Sequence, residues 1–284
     1  MVLKADPVTF VTSKSGAYVV HVNANDVSSM GARPLWFEAV ILCPVGADEK
    51  EVRELFSQVD EAARELNIAV VGGHTEITHA VTHPVVVGSM QGLVAKDRLV
   101  TSSGVQPGDF IVMTKFSGLE GTSVLLQEKP LEAARALGQE GLIEARRLLE
   151  TLGISVVQEA LLAADQGVHA MHDVTEGGVA TALFELAHAS SVKLLVNTAS
   201  IPVLDATQRL CEHLEMDALG LLGSGALLIA LPKQNWSRLQ EAFKARGFFV
   251  TLIGEAHEGE GVFEAQGKKT RLSLYEQDEL TRAL

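Results

Sequence analysis

Apolar runs of strand length alternate with amphipathic helical stretches along most of this 284-residue chain. Such alternation is typical of α/β and α+β folds, and we predict a fold of this class. The length is enough for two compact domains with separate cores. A stretch rich in Ser, Gly and Pro, TSSGVQPGD at residues 101–109, is the best candidate for the boundary. We therefore predict an N-terminal domain at residues 1–103 and a C-terminal domain at residues 104–284.

The same pattern predicts individual elements. In the first domain we expect strands at residues 35–42 and 84–94, a helix that begins at Asp48, and a short buried strand at residues 68–71 that ends in a loop. Residues 18–22 are ambiguous, because their β-branched side chains favour a strand. We predict a helix from about Ser15, since Gly31 and Pro34 then supply a proper helix end.

In the second domain we expect strands at residues 110–114, 169–173, 225–231 and 248–253, with helices up to about residue 165 and at residues 178–189 and 234–246.

The charge balance and composition exclude several classes of function. Asp and Glu number 36 against 23 Lys and Arg, a formal net charge of −13, which repels a nucleic-acid backbone but does not exclude ATP. Charges interrupt every apolar run before it reaches membrane-spanning length, and the first residues lack the pattern of a signal peptide. Cys43 and Cys211 fit two buried thiols in a reducing compartment. We therefore expect a cytoplasmic protein without a nucleic-acid or membrane partner.

Three acidic segments contain the oxygen ligands that Mg²⁺ prefers. Asp6 ends VLKAD, Asp26 follows Asn25 near the end of the ambiguous helix, and Glu76 lies in the loop GGHTE. Carboxylates at strand ends could converge on one ion. Each acid also has a plainer explanation, as a turn residue, a solvated helix face and a loop charge in that order.

A fourth segment, MHDVTEGGVATALFEL, combines a strand ending at Asp173 with glycines that lead directly into an apolar helix. Free N–H groups at a helix N-terminus form an anion site, and glycines let a phosphate or carboxylate approach the backbone. The alternative is an ordinary turn from strand to helix, for which glycine is equally suited.

Taken together, NDVSSMGARP, GGHTE and HDVTEGGV resemble motifs of the aminoimidazole ribonucleotide (AIR) synthetase superfamily, whose fold is PurM-like. The chain is most similar to the hydrogenase-maturation (HypE-like) branch and to uncharacterised AIR synthase-related proteins. The resemblance covers nearly the whole chain. It implies an N-terminal α/β domain that pairs with a second copy across a β-barrel, and a C-terminal α+β domain. It also implies ATP and Mg²⁺ in a cleft between the domains.

The resemblance also assigns site residues. It implies Mg²⁺ ligands at Asp6, which matches the acid of the family's T-T-D string, at Asp26 in N-D-x-x-x-M-G-A, and at Glu76 in the G-G-[DE]-T loop. The residues implied to contact ATP or substrate are Asn23, Asn25, Gly73, Thr75, Asp173, Thr175, Gly177 and Gly178.

Three departures from the family pattern bear on function. Before the T-T-D strand, family chains carry a glycine-rich segment with paired acids, which covers the nucleotide phosphates. This sequence starts at that strand, so we expect the segment to be missing, either by truncation or by real loss. His74 takes a position usually held by Asp or Glu and is a poor Mg²⁺ ligand. The sequence ends in TRAL without the substrate-carrying Cys of the hydrogenase-maturation protein, so we do not expect carbamoyl dehydration by that route. His74, His79 and His83 together suggest a transition-metal site as an alternative to coincidence.

Members of this superfamily use ATP to phosphorylate an oxygen, which makes it a leaving group. The resemblance therefore implies an ATP- and Mg²⁺-dependent enzyme that activates or phosphorylates a small metabolite and works as a homodimer. The alternative is a non-catalytic nucleotide-binding or scaffold relative that lost the phosphate-covering segment.

Overall fold

The structure is a computed structural model that describes residues 1–9, 13–265, 271–275 and 277–284. Two compact units make up the chain, Met1–Leu99 and Val100–Leu284, whereas we predicted the division after residue 103. Each unit has its own sheet and its own helices. Within the described ranges, no helix combines the length and the apolar character that a membrane crossing requires.

The first unit is a sheet with helices on one face. Its strands are β1 (Val2–Val8), β2 (Arg33–Pro44), β3 (Ala69–Thr78) and β4 (Val85–Leu93), and its helices are α1 (Ser15–Ser29) and α2 (Glu49–Glu65). The strand order is β1-β4-β2-β3, with β2 parallel to β3 and β4 antiparallel to both β1 and β2. Alternate residues of β2, such as Phe37 and Ile41, are buried on the helix side. Strand periodicity leaves the residues between them on the open face.

The ambiguous segment is a helix, as predicted. Helix α1 buries Val19, Val20 and Val27 completely, so packing outweighs the strand preference of β-branched side chains. It ends as expected, because Gly31 takes the left-handed conformation with φ of 70°. Helix α2 begins as predicted at Asp48, whose side chain accepts a hydrogen bond from the backbone N–H of Lys50.

Two predictions about the first unit are wrong. Residues 68–71 are not a short buried strand that ends in a loop, because β3 continues through GGHTE to Thr78 as an exposed edge strand beside β2. The glycines allow close pairing rather than a loop, since a Cβ on Gly73 would lie 2.1 Å from the carbonyl oxygen of Ala39. Asp6 is not a turn residue either, because it pairs with Gly88 inside β1.

The second unit is a larger sheet with helices on both faces. Its strands are β5 (Asp109–Thr114), β6 (Ala170–Asp173), β7 (Lys193–Val196), β8 (Leu227–Pro232), β9 (Val250–His257) and β10 (Gly261–Glu264). Its helices are α3 (Leu119–Glu128), α4 (Pro130–Leu152), α5 (Val157–Ala164), α6 (Gly178–Ser190), α7 (Asp205–Leu214), α8 (Trp236–Ala245) and α9 (Leu280–Ala283). The strand order is β10-β7-β9-β5-β8-β6.

Strand β5 shows how the two faces of this sheet are covered. Ile111 and Met113 pack with Leu183 of α6 in one core, while Val112 packs with Phe243 of α8 in the other. The mixed α/β class is confirmed for both units. Strands β7 and β10 and helix α7 were not predicted. The two strands span four residues each, the same length as β6, which was predicted, so length alone does not explain why they were missed.

Candidate functional site

Two of the predicted Mg²⁺ ligands, Asp6 and Asp26, are brought together in the first unit, and we call them the acid pair. Asp6 lies in β1, and Asp26 lies near the end of α1. Lys4 lies between them, with its Nζ 3.0 Å from Oδ2 of Asp6 and 3.2 Å from Oδ1 of Asp26. The acid pair therefore already has a cationic partner from its own chain.

Asn23 fixes the acid pair in place. This residue of α1 is fully buried, and its side chain accepts a hydrogen bond from the N–H of Asp6 (2.9 Å). Its amide donates to the carbonyl oxygens of Asp6 (3.2 Å) and Val19 (2.8 Å). Gly88 leaves room for it, since a Cβ there would lie 2.6 Å from the amide nitrogen. Asn23 therefore positions β1 on α1 instead of facing a ligand as predicted, and Asn25 is buried too.

The charge of Lys4 is stabilised by its surroundings. Partial burial alone would lower the pKa of this ammonium, but the negative charges of Asp26 and Asp6 outweigh burial and hold the pKa above its ordinary value. Lys4 is therefore positively charged at neutral pH. The three side chains together keep one negative charge in excess.

The third predicted Mg²⁺ ligand, Glu76, does not join the acid pair. It lies in β3, at the opposite edge of the sheet from β1, so about 14 Å of sheet separates the two strands. Gly73 and Thr75 lie with it on this exposed strand. His74 contacts Glu76 at 3.8 Å, and His83 contacts the carbonyl oxygen of Thr9. Throughout the described part of the chain, no three His, Cys, Asp or Glu side chains are grouped closely enough to hold a metal ion.

The predicted anion site at the start of α6 has the expected backbone. Asp173 ends β6 in a buried position, and Gly177 and Gly178 follow with φ of 73° and 61°. Glycine suits both positions because both have positive φ. At Gly178 there is also no room for a side chain, since a Cβ would lie 2.4 Å from the carbonyl oxygen of Leu219. The carbonyl oxygen of Thr175 accepts the N–H of Gly178 and closes the turn.

An anion from the chain itself binds there. The buried carboxylate of Asp278 accepts hydrogen bonds from the backbone N–H groups of Gly177 (2.7 Å), Leu222 (3.1 Å) and Leu280 (2.8 Å). Burial raises the pKa of Asp278, and these three donors oppose that rise by stabilising the charged form. At the start of α6, the N–H of Gly177 therefore donates to a carboxylate of the chain itself, that of Asp278, while the other two donors to Asp278 come from outside α6.

A second buried acid lies in the same unit. Glu120, in the first turn of α3, is only 6% exposed, and burial raises its pKa to about 7. A hydrogen bond with Ser224 opposes this rise, while the charges of Glu176 and Asp278 add to it. Glu120 therefore changes its charge near neutral pH.

An open pocket of about 650 Å³ lies beside α7 and the last residues of the chain, with Asp217, Tyr275 and Arg282 in its wall. The hydroxyl of Tyr275 donates a hydrogen bond to Asp217. Cys211 also lines this pocket, but burial raises the pKa of its thiol to about 12, so it stays protonated and is a poor nucleophile.

Sequence reasoning missed Lys4 and Asp278. A signal for Lys4 was present, because residues two apart in a strand share a face, and K-A-D therefore places Lys4 beside Asp6. Asp278 had no comparable signal, since 101 residues separate it from Gly177.

The comparisons with known proteins agree with this two-unit architecture. A model described as AIR synthase related protein, N-terminal domain, matches residues 2–94, and one for the C-terminal domain matches residues 106–265. The chain belongs to the AIR synthase related family. The resemblance inferred from the motifs is thereby confirmed.

Relatives named for two different activities match most of this AIR synthase related chain. Carbamoyl dehydratase HypE of Cupriavidus necator is 27% identical over 256 residues, which cover 89% of this chain and 70% of that protein. Thiamine-monophosphate kinase of Pyrococcus horikoshii is 26% identical over 276 residues, which cover 96% of this chain and 82% of the kinase.

Solved structures confirm the PurM-like fold. The crystal structure of Escherichia coli HypE, a hydrogenase maturation protein, matches with a TM-score of 0.86 at 24% identity. The match covers 99% of this chain and 88% of the HypE chain. A structure of HypE in complex with ATP has a TM-score of 0.80 at 23% identity, with coverage of 98% and 86%.

Proposed function

We propose that this chain is an ATP-utilising enzyme that activates or phosphorylates an oxygen of a small metabolite. The observation that carries the proposal is similarity over most of the chain to a kinase and to a dehydratase of the HypE type. A HypE structure of the same fold holds ATP, which supports use of this nucleotide by the chain. Phosphorylation of an amide or carboxyl oxygen would make it a leaving group, and the two reaction types could share that step.

Residues proposed to contact ATP or substrate are taken from each unit separately. In the first unit they are Asn25, Gly73 and Thr75, since Asn23 uses its amide to hold β1. In the second they are Asp173 and Thr175, since the N–H groups of Gly177 and Gly178 already donate to Asp278 and to Thr175.

Mg²⁺ was predicted at the acid pair, and the donors there do not fit it. The carboxylate oxygens are of the right kind, but the Lys4 ammonium already lies within ion-pair distance of both. A divalent ion would meet a like charge in the space between the two acids. Our proposal therefore keeps ATP as the cofactor and assigns no role in the reaction to a metal at this pair.

We further propose that the chain forms a homodimer through the open face of the first sheet, and that it works in the cytoplasm. Leu3, Trp36, Val40 and Leu93 are apolar side chains exposed on that face, opposite the helices. An exposed apolar face of this kind marks an interaction surface. The family resemblance supports a second copy of the chain as the partner.

Sedimentation velocity at micromolar concentration tests the dimer. We expect a dimer for the wild type and a monomer for Val40→Glu, because a buried unpaired carboxylate opposes association. Phe56→Glu is the matched control, since Phe56 is an exposed apolar residue of α2 on the other side of the sheet. A wild type that sediments as a monomer, or a Val40→Glu variant that stays dimeric, contradicts this interface.

Calorimetric titration with ATP, beside an assay of ADP release with amide, carboxylate and phosphate acceptors, tests the enzyme. We expect ATP to bind, and Asp173→Asn to weaken binding at least tenfold, about 1.4 kcal/mol. Glu258→Gln, at an exposed position, is the control and should bind ATP like the wild type. If ATP binds but no ADP forms in the presence of any of these acceptors, the result favours the scaffold alternative. A folded wild type that does not bind ATP excludes both nucleotide hypotheses.

A further inference from the structure

The three charged side chains of the first unit form an arrangement that the proposed reaction does not use. Lys4 and Asp6 are two residues apart in β1, so both point to the face that α1 covers. Asp26 reaches the same place from α1. A single ammonium therefore contacts carboxylates from two different elements.

The backbone holds this arrangement in place. Asn23 lies three residues before Asp26 on α1, and its side chain bonds both the N–H and the carbonyl oxygen of Asp6. These bonds fix the position of β1 along α1, which sets where the side chain of Lys4 meets Asp26. The contacts of Lys4 thus depend on a buried and fully hydrogen-bonded clamp, unlike those of a surface lysine that meets an acid by chance.

We propose that Lys4 is a resident cation that takes the place of a divalent metal ion between Asp6 and Asp26. A divalent ion at this place would need oxygen atoms from both carboxylates, and the ammonium of Lys4 contacts one oxygen of each. The wild-type pair therefore binds no divalent cation, and removal of the Lys4 charge opens a divalent site. This inference stands independently of the proposed reaction, because it concerns only the chain and a metal ion.

The test is titration of the full chain with Mn²⁺, followed by electron paramagnetic resonance of the free ion. We expect Lys4→Met to gain one Mn²⁺ site per chain that is absent from the wild type, with at least tenfold less free Mn²⁺ at half-saturation than any Mn²⁺ binding that the wild type shows. The double variant Lys4→Met/Asp26→Asn should lose that site, which separates it from other acidic places on the surface. Lys4→Arg is the matched control, because it keeps the positive charge and should gain no site.

The wild type alone can overturn the proposal. If it binds Mn²⁺ and loses that binding in Asp6→Asn or Asp26→Asn, the pair is a metal site despite Lys4. A Lys4→Met variant that circular dichroism shows to be folded, yet gains no site, also contradicts the inference. If Lys4→Met does not fold, the comparison of wild type with Asp26→Asn decides the matter, and unchanged Mn²⁺ binding supports a resident cation.

Discussion

The acid pair of the first unit and the start of α6 in the second unit are charged places of opposite sign, and the chain fills both with its own residues. Lys4 contacts the two carboxylates of the pair, and Asp278 accepts the N–H of Gly177 at the start of α6. Sequence patterns indicated a cation site at the first place and an anion site at the second. At both places the partner that the structure shows is a residue of the chain itself.

The two places differ in burial and in sequence distance. Lys4 is about one-third exposed in its side chain and lies two residues from Asp6, whereas Asp278 is buried and lies 101 residues from Gly177. Water solvates the first group when its partner is removed, but it reaches the second only if the structure opens. The comparison shows that nearby residues determine which charge a place attracts. How much the partner contributes to the free energy of unfolding depends on how deeply it is buried.

The largest effect is expected for Asp278→Ala. This change leaves three buried N–H groups, those of Gly177, Leu222 and Leu280, without their acceptor. The free energy of unfolding should fall by about 4 kcal/mol, because each unsatisfied buried donor costs roughly 1–3 kcal/mol and water recovers a part. Urea unfolding measures the loss. Glu258→Ala, which removes an exposed carboxylate, should change stability by less than about 0.5 kcal/mol. Equal stability of the two variants would remove Asp278 as the internal anion.

A somewhat smaller, pH-dependent effect is expected for Glu120→Gln. Because the pKa of Glu120 is raised from 4.5 to about 7, the folded chain binds this proton more tightly than the unfolded chain does. The resulting stability is complete below pH 4.5 and is lost as the pH rises through 7. From pH 5 to pH 8, the wild type should therefore lose roughly 2–3 kcal/mol relative to the Gln variant.

Urea unfolding of wild type and Glu120→Gln at several pH values measures this difference, and Glu258→Gln, at an exposed position, should follow the wild type throughout. Parallel curves for wild type and Glu120→Gln would show that Glu120 keeps an ordinary pKa. In that case burial, the main cause of the raised pKa, would not hold Glu120 in its protonated form at neutral pH.

The sequence predicts elements better than it predicts their surroundings. Helix α1 was predictable despite its valines because Gly31 marks its end, and β2, β4 and β5 have apolar patterns long enough to show. The exposure of β3 was not predictable, since its apolar residues are equally suited to a buried strand, and only the pairing with β2 places it at an edge.

The two predicted charged sites show the same limit. Residue types and glycines near strand and helix ends predicted which charge each place prefers, because these are local properties. Lys4 could have been found from its spacing to Asp6. Asp278 could not, because the contact with Gly177 forms only when distant segments pack, and no pattern near either residue encodes that.

The smallest effect on stability is expected for Lys4→Met, and it sharpens the contrast with Asp278. Lys4 and Asp6 are each about one-third exposed in their side chains, so water replaces most of what their ion pair contributes. Repulsion between the two remaining acids is screened by salt, and the methionine side chain keeps much of the packing of the lysine stem. The free energy of unfolding should therefore fall by less than about 1 kcal/mol, and by less still in high salt. Urea unfolding at two salt concentrations measures this, and a loss as large as that of Asp278→Ala would mean that the two internal ions are energetically equivalent despite their different burial.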